Sequence, residues 1–237
     1  MLDLLADELS RGGLSLNGAK TKILTTVHDV AGAAGSPVYV DVAGHMVEVV
    51  QGTKTHKYLG RLWPGDLRKR GQINLGHRLS CGWFKLHFYS HTLQNKKIPI
   101  KYRLRLFDAV ITPTVLYSLP STPLTKAQRD KLDATQRKML RRLVGWIRLD
   151  EESWHSTGQR MKGRLEAALA QNPVATWSET IQKQQLKMKS RLSSGSAPHI
   201  AILVHNWEPA FLSDGYRRRG RPRHRVFDGL PRQAGEL

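Results

Sequence analysis

The chain has 237 residues, 40% of them hydrophobic, and 38 Lys or Arg against 19 Asp or Glu, for a formal net charge of +19. A single cysteine, Cys81, excludes an internal disulfide framework, and the longest mostly apolar stretch, Leu104 to Leu119, is interrupted by Asp108 and Pro113 and is too short to span a bilayer. The opening Met1-Leu2-Asp3-Leu4-Leu5-Ala6-Asp7-Glu8-Leu9 carries three acids and no early base, unlike a secretory signal, so an intracellular protein with no membrane partner is expected.

Leu2, Leu4, Leu5 and Leu9 fit one face of a short helix that stops at Arg11-Gly12-Gly13. Between Leu14 and Thr26, Asn17-Gly18 signals a turn and Ile23-Leu24-Thr25-Thr26-Val27 a strand. Val38-Tyr39-Val40-Asp41-Val42 and Met46-Val47-Glu48-Val49-Val50 flank Ala43-Gly44-His45 and predict a hairpin. Tyr58-Leu59-Gly60 reads as a further short extended piece.

Helices are predicted after Pro64. Gly76, Leu79, Trp83, Leu86, Ser90 and Leu93 recur at three or four residues and predict one long amphipathic helix from Ile73. A second runs from about Ile100 to Tyr117 through Leu106, Phe107, Val110 and Ile111, with Pro113 expected to kink or shorten it. A third opens on a capping box, Thr125 with Gln128, and continues through Leu132, Met139, Leu140 and Leu143 to Gly145-Trp146. Its outer face is expected to pair Asp133 with Arg137. Arg160 to Ala170 and Trp177 to Leu192 predict two more helices, the latter with Ile181, Met188 and Leu192 inside. Residues 193–198 read as a linker, and the Arg-rich tail after Gly215 is expected to be disordered when free. The whole predicts an α+β chain: a strand and hairpin region over 1–63, a helical bundle over 64–150, further helices over 151–195, and a linker with a basic tail over 196–237.

The charge is unevenly placed: residues 1–53 are net −3, 54–105 net +12, 106–153 net +2 and 154–237 net +8. The second block holds thirteen bases, Lys54, Lys57, Arg61, Arg68, Lys69, Arg70, Arg78, Lys85, Lys96, Lys97, Lys101, Arg103 and Arg105, against one acid, Asp66. Trp63, Trp83, Phe84, Phe88, Tyr89 and Tyr102 lie among them. Bases interleaved with aromatics suit a polyanion with stackable bases, so nucleic acid is the expected partner. The segment Arg219-Gly220-Arg221-Pro222 has the core of an AT-hook, a flat ribbon that enters a narrow minor groove, but four residues are a weak signal and the plainer reading is a basic tail for any phosphate backbone.

Other chemistry is less favoured. On one continuous helix His77 and His91 would sit about 21 Å apart, too far for one zinc ion, so His77, Cys81, His87 and His91 would need a sharp break at Gly82 to share one. Cys81 has no cue for a nucleophile beyond nearby histidines, and the chain has no glycine-rich phosphate loop.

Leu16-Asn17-Gly18-Ala19-Lys20-Thr21-Lys22, then the hairpin, then His56-Lys57-Tyr58-Leu59-Gly60, resembles the palm edge of LINE-type (non-LTR) retrotransposon reverse transcriptases. The run that follows is similar too: a helix near Leu79, a Lys101-to-Tyr117 helix ending in Leu-Tyr, and Lys131 to Trp146 with Gln136 and Arg141. The tail Arg219-Gly220-Arg221-Pro222-Arg223 looks like a basic closing segment of that family. The resemblance implies that Lys20, with Lys22 as the alternative, lies near an incoming nucleotide's phosphates. It implies that Tyr58-Leu59-Gly60 is a primer-grip turn, and that the helices from about Ile73 to Trp146 form a thumb holding template–primer duplex by its phosphates.

One departure is larger than any match. The family holds two Mg²⁺ on palm aspartates that include an adjacent Asp-Asp pair, and this chain contains no such dipeptide. Neither Asp7-Glu8 nor Asp150-Glu151-Glu152 has the required setting, so no metal cofactor is expected. The resemblance implies that the pair lies upstream of Met1, that the missing polymerase portion is a partner, and that this chain alone does not polymerise. A nuclear location would follow from that role. The rival expectations are a free-standing basic DNA- or RNA-binding protein working through its tail, and a poorly folded remnant.

Overall fold

A computed structural model describes residues 2–25, 37–50 and 54–195. The predicted strand end Thr26-Val27, residues 196–198 of the linker and the Arg-rich tail lie outside the described residues. The chain is α+β and divides into two compact units, one up to His77 and one from Arg78 onward, so that the division falls inside a helix.

The first unit opens with α1, Leu2–Arg11, closed by Gly13 at φ 73° while the Leu14 N–H donates back to the Leu9 carbonyl. β1, β2 and β3 (Lys22–Leu24, Val38–Val42 and His45–Val50) form a sheet in the order β1-β3-β2. β2 and β3 are antiparallel and joined by Ala43-Gly44, both at positive φ as a two-residue hairpin turn requires; β1 pairs parallel to β3. Val42, Val47 and Val49, on the face opposite Glu48, are buried.

A second hairpin follows, β4 (Thr55–Tyr58) and β5 (Arg61–Pro64). Tyr58-Leu59-Gly60 is therefore not a continuous extended piece. Leu59 (φ 45°) and Gly60 (φ 75°) are the two turn residues. A leucine in the left-handed region costs about 1 kcal/mol, and the strand twist on either side imposes it. The hairpin is fastened to α2 (Arg70–Phe88) by Asn74, which is buried. The Asn74 amide accepts from the Leu62 N–H (2.9 Å) and donates to the Leu62 carbonyl (2.7 Å), satisfying one β5 residue completely.

The second unit is a helical bundle: the rest of α2, α3 (Ser90–Leu93), α4 (Ile100–Leu116), α5 (Lys126–Val144), α6 (Trp154–Gln171) and α7 (Trp177–Ser193). The long helix predicted from Ile73 to Leu93 breaks at Tyr89, and its buried stripe is Leu75, Leu79, Gly82, Leu86 and Leu93, with Gly76 exposed. α2 runs unbroken through Gly82, where a Cβ would collide with Val115 of α4, so glycine permits the close crossing of the two helices. α4 runs through Pro113 and ends three residues later, at Leu116, where the Tyr117 N–H donates to the Pro113 carbonyl. The Thr125–Gln128 capping box is present in full, and α5 stops at Val144 where Gly145 adopts φ 94°.

The bundle closes on α7. Trp177 is fully buried, stacked on Phe107 of α4 at 6.1 Å, with its indole N–H donating to the Thr112 hydroxyl at 3.0 Å. Gln136 of α5 accepts from the Trp177 backbone N–H and donates to the Ala175 carbonyl, each at 2.9 Å. Asp133 does not serve a surface pair with Arg137: its carboxylate accepts from the Ser178 backbone N–H and hydroxyl, where the start of a helix favours an anion. On α7, Ile181 and Gln185 face inward, Gln185 donating to the Pro120 carbonyl, while Met188 is exposed. No described helix is long and apolar enough to cross a membrane.

Gln136→Leu leaves the Trp177 N–H and the Ala175 carbonyl without partners in the core. A loss of about 3 kcal/mol is expected, read as a lower urea midpoint at unchanged slope.

Candidate nucleic-acid interface

The thirteen bases singled out in the sequence do not form one class. In the first unit Lys54, Lys57, Arg68 and Lys69 are exposed, and Lys69 lies 3.9 Å from Asp66, a loose surface pair of little energetic weight. Arg61 and Arg70 are half-buried against Trp63: their guanidinium carbons sit 5.8 and 5.3 Å from the centre of its ring. The β4–β5 register puts His56, Tyr58, Arg61 and Trp63 on one hairpin face. Two guanidinium groups on a single half-buried indole make a compact cationic cluster of a kind that can hold a phosphate.

The second unit separates its bases by helical phase. On α4, Lys101, Tyr102 and Arg105 are exposed, while Arg103 and Leu104 are buried. Arg103, expected among the nucleic-acid contacts, is turned into the bundle. Its guanidinium donates to the carbonyls of Leu93, Ile98 and Leu143, tying the ends of α3 and α5 to the start of α4. Burial, with Arg164 adding repulsion, lowers its pKa from the ordinary arginine range, but it remains a cation neutralised by carbonyl dipoles. Arg78 is buried too, its guanidinium 4.5 Å over the Tyr117 ring, and is likewise withdrawn from the surface. Lys96 and Lys97, before α4, are exposed; Lys85 is half-buried, 5.8 Å from the rings of Phe88 and Tyr89. Phe84 and Phe88, four apart on α2, are 69% and 61% exposed. Among the described residues, Lys96, Lys97, Lys101 and Arg105 have no acidic partner.

The two candidate nucleotide lysines differ. Lys22 faces Glu48 across β1 and β3, and its ammonium donates to that carboxylate at 2.7 Å, which lowers the Glu48 pKa. Lys20 is exposed in the turn before β1, its backbone N–H donating to the Asn17 side chain. Of the two, Lys20 has its charge available to an anion. Leu59, at the hairpin tip, is 72% exposed and Tyr58 59%. The tail residues Arg219, Gly220, Arg221 and Pro222 lie outside the described residues.

Sequence reasoning missed three features. The Arg61–Trp63–Arg70 stack has a legible signal only once the hairpin register is known. Asn74 sits on the buried stripe of α2 one residue before Leu75, a polar residue at an apolar position. The α5–α6 connection, residues 145–153, is an ordered loop: the Ile147 N–H contacts the Met161 sulfur at 3.5 Å, and Arg160 donates to the Ile147 carbonyl and, through two nitrogens, to Glu152. Thr157 adds a further donor to Glu152.

The Arg160 hydrogen bond, helped by Thr157, pulls the Glu152 carboxyl from its ordinary 4.5 down to about 2. A carboxylate depressed in this way supports the loop above the ordinary value and releases it as pH falls toward 2. An acid titration of tryptophan emission is expected to show a change between about pH 4.5 and 2 that Glu152→Gln removes. Compared with protein-family models, curated proteins and solved structures, the chain matches none.

Proposed function

We propose that the chain grips a nucleic-acid duplex by its phosphates, in the manner of the palm edge and thumb of a LINE-type reverse transcriptase. The observation that carries this reading is the phase of α4, which keeps Lys101, Tyr102 and Arg105 outward and turns Arg103 inward to carbonyls. With Lys96 and Lys97 just ahead of it, this edge offers four cations with no acidic partner among the described residues, and an exposed aromatic. Ammonium and guanidinium groups so placed bind successive phosphates, and the ring stacks on a base or sugar.

In the same reading the Tyr58-Leu59 hairpin tip meets the primer strand, and Lys20 meets a nucleotide's phosphates. The polymerase reaction itself requires carboxylates that hold Mg²⁺, and this chain carries no Asp-Asp pair to supply them. The part proposed for this chain is binding and positioning of template and primer, with the metal-bearing palm as its partner.

A second reading, a free-standing basic binder, draws on Arg219-Gly220-Arg221-Pro222. Removal of residues 216–237 abolishes most affinity in that case and little of it in the first. For the thumb reading, Lys101→Glu with Arg105→Glu is expected to weaken duplex binding at least about tenfold at 0.15 M salt, with the melting temperature unchanged because both side chains are exposed. Fluorescence anisotropy with a labelled duplex measures it, and undiminished affinity contradicts the proposal.

A further inference from the structure

The loop between α5 and α6 carries a surface chemically unlike the basic edge of α4. Trp146, Ile147, Leu149 and Trp154 are all exposed, Trp154 at 67%. Apolar residues on a slack loop would fold inward. Here the Arg160–Glu152 pair (2.7 Å) and the Ile147 contacts hold the backbone, so the tryptophans stay outward.

Charge decides what fits there. Asp150 and Glu151 are exposed at the same turn, and among the described residues neither has a basic partner. With Glu152 paired to Arg160, Asp150 and Glu151 outnumber the exposed Arg148 of the same loop, so the rim favours a cationic segment over a phosphate backbone. The indole rings accept guanidinium groups: Arg148 already lies 4.5 Å over Trp154. The chain contains such a segment. Arg217 to Arg225 holds six arginines and no acid. The intervening residues 196–215 span up to about 70 Å when extended, well beyond the roughly 35 Å across a folded unit of this size.

We propose that the Arg217–Arg225 segment docks in cis on the Trp146–Trp154 surface, its guanidinium groups stacking on the exposed indoles and pairing with Asp150 and Glu151. The contact stands on charge and geometry whether or not the chain binds nucleic acid. Where it does bind, the docked tail is withheld from phosphates, and a polyanion must compete with the loop to recruit it.

Limited trypsin digestion of the full chain tests this, with mass spectrometry reading cleavage within Arg217–Arg225. Two variants serve as comparison, Asp150→Asn with Glu151→Gln, and Trp154→Ala; all three positions are exposed, so the melting temperature is expected to be unchanged. Tail cleavage in the unsubstituted chain is expected to be roughly fivefold slower than in either variant at low salt. The difference is expected to close near 1 M salt, where screening reaches about 3 Å. Equal rates in all three proteins at low salt overturn the proposal. Protection that grows with protein concentration also overturns it, because the tail then lies on a second copy. Digestion needs no nucleic acid, so this contact and the phosphate grip fail or succeed separately.

Discussion

Gln136 holds the start of α7 with both ends of its amide, and the outward charge of the second unit depends on that inward arrangement. An amide buried beside Trp177 is costly unless both its oxygen and its nitrogen are used, and here each finds a backbone group at 2.9 Å. With α7 seated, Trp177 stacks on Phe107 and its N–H fixes Thr112, which sets the rotation of α4. Arg103 fixes the same rotation from the other end through the Leu143 carbonyl. Once Arg103, Leu104, Phe107 and Ile111 point in, a helix of 3.6 residues per turn turns Lys101, Tyr102 and Arg105 away from the core. The candidate grip is thus a consequence of core hydrogen bonding as much as of surface composition.

The first unit shows the same logic on a smaller scale. Asn74 holds Leu62, and the β4–β5 register then brings Arg61 to the Trp63 face that Arg70 also reaches. A two-residue turn leaves Leu59 in the left-handed region at the tip, where glycine or asparagine would be less strained. Strain of that kind is retained where the exposed side chain or the tight turn is useful, and in the reverse-transcriptase reading both are.

Much of the architecture was legible in the sequence because it rests on local signals. The Thr125–Gln128 box, the Val38–Val50 hairpin, and the starts of α4 and α7 all follow from caps, turns and periodicity, and the structure has them. The site was legible in outline alone. Thirteen bases in one block announce a cationic chain, but composition does not tell Arg105, which faces solvent, from Arg103, which is spent on three carbonyls. Asp133 misled for the same reason: an i,i+4 base is visible in the sequence, and an α7 N-terminus forty-five residues away is not. Roles set by tertiary partners have no local signature.

The bundle also separates its charges by location. Lys96, Lys97, Lys101 and Arg105 are exposed at and before the start of α4, while Asp150, Glu151, Trp146 and Trp154 are exposed at the α5–α6 loop, together with Arg148. The central claim, that exposed cations bind phosphates, is tested most directly by the salt dependence of duplex binding by the full chain. If Lys96, Lys97, Lys101 and Arg105 each displace a counterion, log K falls with log salt at a slope of about −3.6. A slope near zero, or no binding at about 50 mM salt, contradicts the account.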